Sequence, residues 1–253
     1  MTNVLDLKQA HADALARWQT PYRGFASGGD SRTTENALLV LTYGGLAHAA
    51  AHDWLNAGRR LIDKTYVDML WHVQQLTRWR TRRPEQVAAD LDDFIRRRIA
   101  PKWPALPTDD AGRRALAEEW VEAAARECFG SRVSELGASR LLFFLCPMVP
   151  VFNLSRGHLA ALRRLGHDVP VTNYADYARA MHATYAEVLP RLRALSRPVA
   201  AYGDPTQRAA IDGLLATGDW WERRVFDVSL RALVDDSSEG ERWFACDDSG
   251  GLG

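Results

Sequence analysis

An all-α fold is predicted for this 253-residue chain by three observations. Apolar residues recur at spacings of three and four along most of its length, which is the period of a helix face. No stretch sustains the alternation of a half-buried strand. Start and stop signals for helices bracket the periodic runs.

Taken in order, a first helix is expected over residues 4–18, closed by Pro21 and the glycine-rich stretch 24–30. A second starts after Ser31 or Thr33, where a hydroxyl cap precedes Glu35, and runs through Leu38, Leu39, Leu41 and Leu46. Helices are then expected over 59–80, past Gly58, over 84–100, with Pro84 at a helix-initiating position, and over 110–129. An apolar helix over 134–146 stops at Pro147 and Pro150, which make the following residues extended. Ser155 caps a short helix over 158–165 whose end Gly166 marks, and long helices follow over 174–195, 205–216 and 219–233. Residues 1–235 read as one unit, with a lobe boundary available at the proline-rich 101–107. Residues 236–253 read as a flexible acidic tail.

Composition narrows the function classes. Lys+Arg and Asp+Glu both number 32, so no global basic excess advertises a nucleic-acid partner. Distribution matters more. Arginine dominates the basic residues, clustering at Arg78, Arg80, Arg82 and Arg83 and again at Arg96, Arg97 and Arg98, while acids gather near Asp235, Asp236, Glu239, Asp247 and Asp248. A basic face with an acidic tail and an ordinary solvated helix surface both fit. No run reaches the roughly 18 apolar residues of a membrane span, and no signal peptide opens the chain, so a cytoplasmic protein is expected. Cys128, Cys146 and Cys246 are too far apart for a zinc or iron–sulfur pattern. Buried, inert thiols at Cys128 and Cys146, no metal and no cofactor are the expectation. Phosphate loops, nucleophile elbows and His-Glu-x-x-His are lacking in the sequence.

The most informative segment is 137–153, Gly-Ala-Ser-Arg-Leu-Leu-Phe-Phe-Leu-Cys-Pro-Met-Val-Pro-Val-Phe-Asn. An apolar helix begins on a glycine-containing turn, breaks at two prolines and delivers one polar residue, Asn153. Read for itself, Gly137 eases a helix start, the Leu and Phe residues fill core, and Asn153 caps the helix near Ser155. Read for chemistry, the N-terminus of the helix at Leu136–Arg140 offers backbone amides to a phosphate, and the Asn153 amide can orient water or donate to a hydroxyl without acting as a base.

The order of these parts resembles the active-site element of the helix-hairpin-helix DNA glycosylases, in which a Gly-rich hairpin holds a DNA phosphate and a following Val-Pro-Val-Asp carries the catalytic carboxylate. The match covers residues 133–162. Within that superfamily the segment is similar to small bacterial proteins of the 8-oxoguanine glycosylase fold, which commonly read Ala-Ser-Lys and then Pro-Ile-Tyr-Asp-Ser-Arg. Here Arg140 stands for the lysine, Asn153 for the aspartate, and Ser155-Arg156 for the Ser-Arg pair, displaced by Leu154. The resemblance implies two helical lobes around a cleft that receives double-stranded DNA, with Gly137, Ser139, Ser155 and Arg156 among the DNA-binding residues. It also implies a monofunctional enzyme, because arginine cannot attack the sugar as an amine, so Arg140 would hold phosphate or the lesion. The branch it points to acts on viral DNA with bulky modified cytosines, such as glucosylated hydroxymethylcytosine, and leaves an abasic site in anti-phage defence.

An oxocarbenium-like transition state needs negative charge beside the sugar, which an amide does not carry. Glu35 is the carboxylate expected to contribute, although its place in a first helical turn also suits a capping charge. Glu222 is the other candidate, with an ordinary surface ion pair as the plainer reading. Trp71 and His72, beside Gln74, Gln75, Arg78 and Trp79, would form a pocket wall for sugar or base, and core tryptophans with a solvated polar face fit the same residues equally well. Tyr174, with Tyr177, would stack an everted base, with packing residues at a spacing of three as the plainer reading. Of Trp220 and Trp221, adjacent on a helix, at least one is expected to be exposed. His158 is within reach of a phosphate or serves structure. A catalytically silent protein that binds or senses modified DNA fits the same residues, as does a helical interaction module unrelated to DNA. No obligate protein partner is indicated.

Overall fold

A computed structural model describes residues 5–19, 35–52, 60–62, 64, 67, 83–129, 135–169, 174–201 and 203–235. The described residues are helical with no strand among them. Helix α1 (Leu7–Gln19) places Leu7, Ala10, Ala14 and Trp18 on one buried face, and the Asp6 carboxylate accepts the Gln9 N–H, supplying a partner for a first-turn donor. Helix α2 (Glu35–Leu39) passes through a π turn (Val40–Gly44) into α3 (Gly45–Ala51). In that turn the Thr42 hydroxyl lies between the carbonyls of Leu38 and Phe144. At Gly44 a Cβ would come within 3.2 Å of Gln207, so the absent side chain lets another helix approach.

Helix α4 (Pro84–Phe94), opened by proline as predicted, continues as a π turn (Ile95–Ile99). Past a short 3-10 turn (Trp103–Ala105), where Trp103 stacks on Tyr43, Asp109 caps α5 (Asp110–Glu127) by accepting the Gly112 N–H. Helix α6 (Glu135–Leu145) is the apolar helix of the motif. Helix α7 (Arg156–Arg164) begins on the predicted Ser155 cap. Its end has His167 N–H on the Leu162 carbonyl and Gly166 N–H on the Arg163 carbonyl, with Gly166 at φ 89°. This paired closure needs a left-handed residue, which glycine adopts at least cost. Helices α8 (Tyr174–Arg193), α9 (Pro205–Thr217) and α10 (Trp220–Asp235) complete the described chain.

Helix α10 is the axis on which the site depends. Helices α1, α7 and α8 pack around it, and every residue from Trp220 to Leu230 is buried. Burial on all sides is the condition of a central helix. Both adjacent tryptophans are therefore inside, against the expectation of an exposed one. Trp220 packs on Phe143 and Phe144 and donates to the Phe143 carbonyl, while Trp221 packs on Trp18 and donates to the Ser196 carbonyl. Buried apolar residues from Leu5 to Val234 form one contiguous cluster, including those on either side of 101–107. Residues 53–59, most of the helix expected over 59–80, and the tail at 236–253 lie outside the described residues. Among the described residues no helix is long and apolar enough to cross a membrane.

Candidate functional site

Residues 146–155 leave α6 and cross the core without a strand to pair with, so their buried N–H and C=O groups need other partners. Side chains supply them. Arg223, fully buried on α10, donates to the carbonyls of Pro147 and Val151 and is held in turn by Asp219. The Tyr174 hydroxyl donates to the Phe152 carbonyl and accepts the Phe152 N–H, both at 3.1 Å. Ser139 Oγ accepts the Leu154 N–H at 2.9 Å while donating to the Leu136 carbonyl. Tyr177 and His158 Nδ1 both reach the Asn153 carbonyl, the latter at 2.7 Å.

This harness seats Asn153, 1% exposed, with its side-chain Nδ2 donating to Asp227 Oδ1 at 3.0 Å. A carboxylate only accepts, so the amide's orientation is set by this bond. Asp227, one of the buried residues of α10, also faces His158 Nε2 at 3.2 Å from Oδ1, and receives Arg224 and, at 3.5 Å, Arg231 on Oδ2. Burial would raise the pKa of the Asp227 carboxyl. Arg231, His158 and Arg224, with the Asn153 amide, outweigh that effect and hold it well below the usual carboxylate range. Burial lowers the pKa of His158, opposed by the Asp227 charge, so near neutral pH the ring carries one N–H between two oxygen acceptors. The hydroxyls of Tyr174 and Tyr177 are pushed up by burial and remain protonated donors.

Among the described residues Asn153 Oδ1 has no hydrogen-bond partner. Leaving a buried acceptor unpaired costs on the order of 1–3 kcal/mol. The amide is also polarised, because the Asp227 charge behind Nδ2 strengthens the negative end of its dipole at Oδ1. The arrangement can therefore accept a donor or oppose a developing cation at Oδ1, and it cannot remove a proton.

The sequence-predicted residues fall into three groups. Asn153, Ser139, Tyr174, Tyr177 and His158 come together, and Arg140, half-buried on α6, is near enough for its charge to act on His158 and Tyr177. Their roles differ from those expected. Ser139, Tyr174 and Tyr177 bind the protein's own backbone and, like His158 and Asn153 itself, are buried, so none of them faces solvent as a ready contact for a base or a phosphate. Gly137 lies inside α6 instead of on a turn, and a Cβ there would meet the Phe129 ring at 3.1 Å. It is a close-packing glycine in the first turn of the helix, so its role in the structure is contact with Phe129. Ser155 is the cap of α7, and Arg156 is exposed in its first turn.

Glu222 forms the expected ion pair, with Arg197 at 2.5 Å, but buried and not at the surface. It lies about 140° around α10 from Asp227, on another face. Glu35 opens α2, and nothing is described of its side chain; Trp71 and His72 lie outside the described residues. The Arg96–Arg98 cluster is neutralised by Asp92, Asp93, Glu119 and Glu127, so it is no open basic face. Cys128 and Cys146 are buried as expected, and burial pushes the Cys146 thiol up.

Asp227 is the site residue that sequence reasoning missed. Its signal lay in the arginines at Arg224 and Arg231, three before and four after it, inside a run rich in Trp, Phe and Val. Comparison of the chain with protein-family models, curated proteins and solved structures returns no match.

Proposed function

We propose that this chain is a monofunctional DNA glycosylase that everts a modified base, of the glucosylated hydroxymethylcytosine kind in phage DNA, and hydrolyses its N-glycosidic bond. A helix-hairpin-helix-like fold with a cleft that receives the duplex is part of this reading. The reading is carried by the unpartnered Asn153 Oδ1 backed by Asp227. Cleavage of the glycosidic bond develops positive charge on the sugar ring. A negative dipole end, prepared before the reaction and shielded from solvent, stabilises that charge without reorganising. The water oxygen joins the sugar C1′, the bond to the base breaks, and the water proton leaves with the base. Arg140 cannot form a covalent sugar adduct, so hydrolysis ends at an abasic site.

Asn153 and Asp227 are 1% and 2% exposed, so excision requires DNA binding to uncover Oδ1. The same burial favours a second reading, a protein that binds modified DNA without cutting it, in which the Asn153–Asp227 pair only secures the segment. One assay separates them. Duplexes with ordinary or glucosylated cytosines are incubated with the protein, treated with alkali and examined for strand breaks. Breaks are expected on the modified duplex, abolished in Asn153→Ala and reduced at least about tenfold in Asp227→Asn, with circular dichroism unchanged. Binding without breaks on either duplex supports the sensor, and a fully active Asn153→Ala removes Asn153 from the chemistry.

A further inference from the structure

We infer that Arg231 is a positioning residue for the Asn153 site, offsetting part of the Asp227 charge until a phosphate draws its guanidinium away. This rests on the glycosylase reading and adds to it a control that a DNA phosphate exerts on the same site. Helix α10 leaves the core at this residue: the chain is buried from Trp220 to Leu230, and Arg231 is followed by the exposed Ala232. Asn153, His158, Tyr177, Asp227 and Arg224 are each 2% exposed or less, whereas the Arg231 side chain is 37% exposed. Among the described groups in contact with Asp227, Arg231 is therefore the one that solutes reach.

The two carboxylate oxygens of Asp227 have separate partners. Oδ1 faces Asn153 Nδ2 at 3.0 Å and His158 Nε2 at 3.2 Å, and Oδ2 faces the two arginines. Arg224 hydrogen-bonds to Oδ2. Arg231 Nη2 stands 3.5 Å from it, beyond the roughly 2.7–2.9 Å of a charge-assisted hydrogen bond. A pair of this length with one partner in solvent is weakly held, so another anion can compete for the arginine. Phosphate suits the exchange, because a guanidinium presents a planar fork of donors to its oxygens. Asp227 then keeps one arginine in place of two, and more of its negative charge acts on Asn153 Nδ2, which makes Oδ1 more negative. The charge of Arg231 already reaches the site. Burial lowers the pKa of His158 and raises that of Tyr177, and Arg231 adds to the first effect and opposes the second.

The test follows the Asn153 side-chain amide protons of the full chain by NMR near neutral pH. Inorganic phosphate or an unmodified duplex is added, with chloride at equal ionic strength as control. A stronger hydrogen bond to Asp227 moves an Nδ2 proton downfield. In the wild type that shift is expected with phosphate in either form and not with chloride. Arg231→Gln is expected to show it without any addition and to gain nothing from phosphate, while Arg231→Lys, which keeps the charge, behaves as the wild type. On a duplex with glucosylated cytosines Arg231→Gln is expected to raise the single-turnover rate at least about twofold. Its binding is expected to weaken, with the slope of log K against log salt losing about 1 of its magnitude. A purely structural role would lower rate and affinity together. A response to the duplex but not to inorganic phosphate supports the inference and assigns the anion to the polymer. An amide in the same place in wild type and Arg231→Gln, a wild type that answers neither phosphate source, or a rate that falls in Arg231→Gln overturns it. The expected shifts without strand breaks on any duplex leave the Arg231 exchange standing and overturn the glycosylase reading.

Discussion

Tyr174 and Tyr177 sit one turn apart on α8 and each loses one oxygen atom in a Tyr→Phe change, yet the structure predicts unequal costs. The Tyr174 hydroxyl serves two backbone groups at once, the N–H and the carbonyl of Phe152. Its removal leaves both buried and unpaired. At about 1–3 kcal/mol for each abandoned group, Tyr174→Phe should destabilise the fold by roughly 2–6 kcal/mol. The Tyr177 hydroxyl serves one acceptor, the Asn153 carbonyl, which keeps His158 Nδ1 at 2.7 Å. Tyr177→Phe should cost about 1 kcal/mol. Urea denaturation of the two variants, followed by tryptophan fluorescence, measures the difference directly. Equal losses, or a Tyr174→Phe loss below about 1 kcal/mol, would refute the claim that side chains replace a missing strand partner along 146–155.

Two further outcomes test other parts of the structure. Gly137→Ala gains about 1 kcal/mol of helix propensity but places a methyl 3.1 Å from the Phe129 ring; it should be neutral to destabilising in urea and leave DNA affinity unchanged, whereas a phosphate-gripping turn would lose affinity first. His182 is pushed down to about 4 by burial together with Arg114 and Arg223. Its unfolded value is about 6.5, so the unfolded chain takes up the proton first and stability falls as pH drops from about 6.5 towards 4, by at most about 3 kcal/mol. Comparing denaturation of wild type and His182→Gln at pH 7 and pH 4.5 isolates that slope, and identical pH dependence in the two would show that His182 does not supply it.

The helices were legible wherever a local signal marks an end. Pro84, the Ser155 cap and the Gly166 closure were readable because each acts through its own backbone. Asn153 was found for a similar reason: two prolines stop a helix and leave one polar residue behind. What escaped was tertiary. Tyr174, Tyr177 and His158 looked available for ligands because nothing local reveals that an extended segment in the core will recruit their hydrogen bonds. Asp227 escaped because Glu222, Arg223, Arg224 and Asp227 read as a solvated helix surface, and only the packing of α1, α7 and α8 around α10 turns them into buried charges. Gly137 misled in the opposite sense, since a glycine tolerated inside a helix for close packing has the same letter as one in a turn.

The claim on which the functional account stands is that Asn153 Oδ1, made more negative by Asp227, meets the sugar of an everted nucleotide. Its most direct measurement is the side-chain amide resonance pair of Asn153 in a nitrogen-15 spectrum, assigned by its loss in Asn153→Ala. Saturation with a duplex carrying a cationic pyrrolidine in place of one deoxyribose should shift that pair, more than an unmodified duplex does, and Asp227→Asn should diminish the shift. Resonances that stay in place while signals elsewhere report a bound duplex would contradict the account.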